Sequence, residues 1–204
     1  GTLNSGLMCF SGSEWKQYTP DKSLANARSM EFDLKGRLWV ATQNGIHCYD
    51  GSEWNQFSTD DGLIDNSVTC IQIAEDNTIW IGTMRGLSHF DGSKWTSYTM
   101  HNGLVNNRVR DLAMDRDNVL WIATDKGVSE FNGLTWSSYT ENDGLISNHV
   151  NSIAVDENNI KWFSHKGIEK GVTTFDGHSW EWQTIWNSGL PSNDINTVIS
   201  DDKG

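Results

Sequence analysis

Apolar and polar residues in this chain alternate in short runs, and the runs recur. In Val109–Met114 the side chains of Leu112 and Met114 fall on one face of an extended segment, with Asp111 and Ala113 on the other. The pattern returns at Ile71 and Ile73, with Cys70 and Gln72 opposite, and at Ile153 and Val155, with Ser152 and Ala154 opposite. Helical periodicity is absent. Runs of about 4–6 residues rich in β-branched and aromatic side chains, bounded by Gly, Asn and Asp, predict strands. In the third copy these are strand A (Val109–Met114), B (Val119–Ala123), C (Gly127–Phe131) and D (Thr135–Tyr139). Asp50-Gly51, Asp91-Gly92, Asn132-Gly133 and Asp176-Gly177 between C and D supply the positive φ of tight hairpins, which predicts an antiparallel meander.

The meander is a repeat. Trp39, Trp80, Trp121 and Trp162 recur every 41 residues, and a second series runs through Trp15, Trp54, Trp95, Trp136 and Trp180. A period of about 40–45 residues containing short strands is the signature of propeller blades. One repeat cannot bury its own apolar face, so a single all-β domain over residues 1–204 is expected: a β-propeller of four-stranded antiparallel blades. Full blades fall at 26–57, 67–98, 108–139 and 149–183. Residues 1–19 hold only strands C and D, and 194–204 only a strand A. Together they predict a split closing blade, the fifth. The alternative is a fragment of a larger, seven-bladed propeller, because almost no residues remain for the missing strand B.

The repeat resembles the two-component regulator propeller. Its residues are Gly62-Leu-Ile-Asp-Asn66, Gly103-Leu-Val-Asn-Asn107, Gly144-Leu-Ile-Ser-Asn148 and Gly189-Leu-Pro-Ser-Asn193, followed by motifs such as Leu120-Trp-Ile-Ala-Thr124, Gly86-Leu87 and Phe90-Asp-Gly92. The resemblance implies the extracytoplasmic (periplasmic or surface) sensor part of a membrane-bound histidine kinase or hybrid regulator. This chain departs from the pattern at Lys161, at His165 in place of Thr, and in an insertion around Gly167–Lys170.

Composition narrows the chemistry. The net charge of −12 argues against nucleic acid as a partner, and no apolar run is long enough for membrane insertion by this segment. Cys9, Cys48 and Cys70 read as small packing residues, and the six His show no metal-ligand spacing, so neither a metal site nor a cofactor is expected. No nucleophile elbow, zinc-protease or phosphate-loop motif occurs, so no catalytic residue is assigned. Acids crowd the A–B and C–D turns, where Asp and Asn suit the local backbone, and read as solvated turns.

Basic residues sit at the B–C loops and at the start of strand A. The candidate ligand mouth is Arg28, Arg85, Arg110, Lys126, Asn151 and His165, with Trp186 as an aromatic candidate for stacking. Capping of a neighbouring blade is the competing reading for Trp186. The expected function is non-catalytic ligand sensing or protein interaction. The ligand would be a glycan or an anionic small molecule, with a protein partner or self-association also open. A lectin with one pocket per blade is the alternative, and a propeller lyase or hydrolase the third reading.

Overall fold

The structure is a computed structural model, and it describes residues 7–17, 24, 26–167 and 170–200. The parts of the predicted closing blade at 1–6, 18–19 and 201–204, and the middle of the insertion at 168–169, lie outside the described residues. Two compact units are present, Gly1–Ser97 and Tyr98–Gly204.

The first unit opens with a hairpin, β1 (Met8–Phe10) and β2 (Trp15–Gln17), where strands C and D were expected. Two four-stranded sheets follow: β3 (Ser29–Phe32), β4 (Leu38–Thr42), β5 (Gly45–Tyr49) and β6 (Trp54–Phe57); then β7 (Val68–Ile73), β8 (Ile79–Thr83), β9 (Leu87–Phe90) and β10 (Trp95–Tyr98). The second unit holds β11 (Val109–Met114), β12 (Leu120–Thr124), β13 (Gly127–Phe131) and β14 (Trp136–Tyr139). Its other sheet is β15 (Val150–Val155), β16 (Lys161–His165), β17 (Val172–Phe175) and β18 (Trp180–Gln183). Each sheet pairs its strands in chain order, as the predicted meander requires. The predicted strands A and C of the third repeat match in full, and B shifts by one residue.

Aromatic side chains join successive blades inside each unit. In the first, Trp39 lies 6.2 Å from Phe90, and Phe57 lies 5.9 Å from Trp95. In the second, Trp121 lies 5.8 Å from Phe175, and Tyr139 5.2 Å from Trp180. Offset and tilted ring pairs at these distances add to the burial of large apolar area, the main term holding blade on blade. The loop from D to the next A seats its Leu in the core (Leu63, Leu104, Leu145) and its Gly against the next blade's Trp. A Cβ at Gly103 would come within 2.4 Å of Trp136, so only glycine fits there. One residue beyond that Leu, the backbone N–H donates to a strand C hydroxyl: Ile64 to Ser88 Oγ at 3.0 Å, Val105 to Ser129 Oγ at 2.9 Å, Ile146 to Thr173 Oγ1 at 3.2 Å.

Strand A is an edge strand whose outer N–H groups need acceptors. The preceding blade's strand A supplies them. Ile73 N–H donates to Glu31 Oε2 at 2.8 Å and Ile153 N–H to Asp111 Oδ2 at 3.0 Å. Val198 N–H donates to Ser152 Oγ at 3.4 Å in the same way. The tail at 195–200 therefore lies along β15 as the next strand A would, though these residues are not themselves in strand conformation.

Two expectations are corrected. The acids of the A–B turns are not simply solvated. Asp33, Asp115 and Asp156 each accept the indole N–H of the strand B Trp (Trp39, Trp121, Trp162) at 2.9–3.0 Å, and Asp33 and Asp115 are buried. Desolvation alone would raise the carboxyl pKa, but the indole and backbone donors and a nearby Arg or Lys reverse the shift, so all three sit below the usual range. In the second blade Ala74 takes this place, and Trp80 instead stacks on His89 at 4.1 Å. Cys48 and Cys70 are buried packing residues, but Cys9 is exposed and packs in no core.

Candidate functional site

The strand A position that carries the basic candidates is a bulge. Pairing slips between Val109 and Asp111, between Val68 and Cys70, and between Val150 and Ser152. Arg110, Thr69 and Asn151 are thus the bulged residues of their strands. A bulge re-aims its side chain and leaves it without a cross-strand neighbour. The alternation read from sequence gave no sign of this.

In the first unit, Arg28 precedes β3 and donates from a terminal nitrogen to the Val68 carbonyl at 3.2 Å and to Ser67 Oγ at 3.4 Å. Arg85 is exposed in the B–C turn, where its backbone N–H donates to Thr83 Oγ1 at 3.1 Å. The turns share one staple: Thr42, Thr83 and Thr124 donate their hydroxyls to the carbonyls of Gly45, Gly86 and Gly127 at 2.7–2.9 Å.

In the second unit the basic residues converge on Asp125. Arg110 Nε lies 2.5 Å from Asp125 Oδ1, Arg108 lies 3.3 Å from Oδ2, and His149 Nε2 lies 3.2 Å from Oδ1. The His149 contact is off the hydrogen-bonding direction. Partial burial raises the Asp125 carboxyl, but the Arg110 bond and charge, then His149 and Arg108, hold it below the ordinary range. Desolvation draws the His149 imidazole down; Asp125 opposes this, while Arg110, Lys166 and Arg108 add to it. Lys126 follows Asp125 and is exposed, as is Lys166, whose backbone N–H donates to the His149 carbonyl at 3.0 Å. Arg108, Asp125 and His149 complete this cluster; the acid and the second arginine carry no motif that would single them out in the sequence.

The remaining candidates make no contact with Asp125 among the described residues. Asn151 donates its amide to the Asn196 carbonyl at 2.5 Å and so ties the tail to β15. His165 is completely buried at the end of β16, with Nε2 2.7 Å from Thr173 Oγ1 and no hydrogen bond at Nδ1. Burial draws its pKa down to about 4, against a weaker opposing pull from the Ser147 backbone. It replaces the Thr staple of the other turns and presents no surface. Trp186 is 71% exposed, so it caps no blade. Trp182 is half exposed and donates its indole N–H to the Gly144 carbonyl at 2.7 Å.

The extracellular domain of the putative hybrid two component system BT3049 from B. thetaiotaomicron superposes with a TM-score of 0.84 at 18% identity, over 98% of this chain and 29% of that one. PorZ, a surface component of the type-IX secretion system of Porphyromonas gingivalis, gives 0.75 at 21% identity, over 99% of this chain and 34% of that one. A streptogramin B lyase gives 0.63 at 15% identity, over 80% and 55%. At these identities the likeness is one of fold, and this chain spans about a third or less of the two larger proteins. No curated protein sequence matches. No helix among the described residues is long and apolar enough to cross a membrane. The sequence model of the two component regulator propeller matches residues 62–85 and 103–126, so the chain carries repeats of that family, folded as β-propeller blades.

Proposed function

We propose that this chain is a non-catalytic, ligand-binding propeller module of the extracytoplasmic sensor kind, and that it takes an anionic ligand at the B–C turns of its last two blades. One observation carries the reading. On a chain of net charge −12, Arg108, Arg110 and His149 gather around a single carboxylate, Asp125, with Lys126 next in the chain and Lys166 acting on His149. Arg110 engages Asp125 through Nε, which leaves its terminal N–H groups to address a carboxylate, sulfate or phosphate. A saccharide bearing such groups fits both the charge and the company of extracellular domains in which the fold recurs. Differences between Gln43-Asn44, Met84-Arg85 and Asp125-Lys126 disfavour one equivalent pocket per blade.

The test is calorimetric titration with uronic-acid, sulfated and neutral oligosaccharides. Acidic members bind, and affinity falls with added salt. Arg110→Ala weakens binding about tenfold or more, while Asp125→Asn, which removes the built-in counter-ion, strengthens it. Equal binding of neutral sugars, or indifference to both substitutions, defeats the reading.

A further inference from the structure

His149 is the one member of the Asp125 cluster whose polar edge the fold leaves unsatisfied. Its backbone is held just before β15: the N–H donates to Ser147 Oγ at 3.4 Å, and the carbonyl accepts the Lys166 N–H at 3.0 Å. The ring nitrogen Nε2 is buried, lies 3.2 Å from Asp125 Oδ1, and has no hydrogen-bond partner among the described residues. That oxygen already accepts from Arg110 Nε at 2.5 Å, and Arg108 lies 3.3 Å from Oδ2.

The charges facing the ring come from three elements. Arg108 and Arg110 approach from the start of β11, Asp125 from the β12–β13 turn and Lys166 from the β16–β17 turn. His165 at the end of β16 is the other titratable neighbour. Desolvation holds the imidazole neutral at pH 7 against the pull of Asp125, with Arg110, Lys166 and Arg108 on the same side as desolvation. One carboxylate is thus shared among more cations than it can neutralise.

An anion docked on the terminal N–H groups of Arg110 reverses that balance, because it adds negative charge beside a ring that cations and burial keep neutral. We infer that the site takes its anionic ligand together with a proton from solvent, and that His149 accepts the proton. Once charged, the ring carries an N–H on each nitrogen and can turn to donate to Asp125 Oδ1, which releases Arg110 toward the ligand. The proton returns to solvent when the ligand leaves. The linkage is reciprocal: the ligand makes His149 easier to protonate, and a fall in pH tightens the ligand. The inference rests on the anion-binding reading of this cluster and adds to it a binding residue and a regulator, acidification.

Inorganic sulfate is the probe, because it keeps both charges from about pH 7.5 to about pH 5 and leaves any pH dependence to the protein. Calorimetry on the 204-residue chain, in buffers of different ionisation enthalpy, counts the protons taken up on binding. Sulfate binds at least about fivefold tighter at about pH 5 than at about pH 7.5, with uptake of a fraction of a proton. His149→Gln loses the uptake and flattens the pH dependence, whereas His165→Thr, which removes the neighbouring histidine, keeps both. NMR titration of the His149 imidazole reads the coupling without calorimetry: sulfate raises its pKa, and Asp125→Asn without sulfate lowers it, since only cations then face the ring. A sulfate affinity that is absent or flat with pH, an uptake that survives His149→Gln, or a His149 pKa that neither change moves overturns the inference. Acidic oligosaccharides that still bind at about pH 7.5 and still lose affinity in Arg110→Ala would then leave the anion site standing without its proton.

Discussion

The A–B turns and the B–C turns sit at opposite extremes of the same strand B, yet the repeat treats them differently. At the A–B turns one solution recurs: an Asp takes backbone N–H groups with one oxygen and the indole of a Trp six residues on with the other, at Asp33, Asp115 and Asp156. At the B–C turns only the Thr staple recurs, and the two residues it frames differ in every blade: Gln43-Asn44, Met84-Arg85, Asp125-Lys126. A buried indole N–H must find an acceptor, so the first turn admits few sequences. The second is anchored by its hydroxyl and leaves its side chains in solvent, free to carry chemistry.

Breaking the structural turn gives the largest effect. Asp115→Ala strands the Trp121 indole and also Lys161, a buried cation that lies 3.1 Å from Asp115 and 5.3 Å from the Trp121 ring centroid. Removing one partner of a buried ion pair costs about 3–5 kcal/mol, read as a lowered urea midpoint at unchanged m-value. Lys161 fills a place held by Leu38, Ile79 and Leu120 in the other blades, so the double change Asp115→Ala/Lys161→Leu recovers much of the loss.

The broken staple of the last blade gives the next effect. The His165 pKa is about 4 in the folded chain and near 6.5 when unfolded, so between these values the unfolded chain binds the extra proton. Stability is fully present above about pH 6.5 and falls by about 3 kcal/mol as the pH drops to about 4. His149 shifts in the same direction and adds to the loss. His165→Thr restores the residue of the other turns and removes most of this slope, which urea unfolding at pH 7 and pH 4.5 would register.

At the B–C turn Asp125→Asn shifts stability by no more than about 1 kcal/mol, since Arg108 and Arg110 are partly solvated. A loss of several kcal/mol there would erase the distinction between the two turns.

Much of the blade was legible in the sequence. Trp39 to Trp162 at a fixed spacing, Asp-Gly turns and Gly-Leu loops located strands to within a residue or so, because each feature follows from local backbone geometry or from the need to bury an indole. The cluster around Asp125 was only half legible. Arg110 and Lys126 stood out as basic residues on an acidic chain, but the bulge that re-aims Arg110 depends on pairing with β12, and nothing in the local sequence encodes it. His165 read as a residue of the mouth because it follows strand B, whereas packing against Thr173 takes it wholly inside.

The sequence by itself determined the repeat, the strands and the meander, since hydrophobic alternation and turn chemistry act over a few neighbouring residues. Only the tertiary structure decided which polar side chains were spent on the fold and which were left for solvent. That division depends on what the adjoining blade brings within hydrogen-bonding distance, as with Asp115 beside Lys161 and Asp125 beside His149.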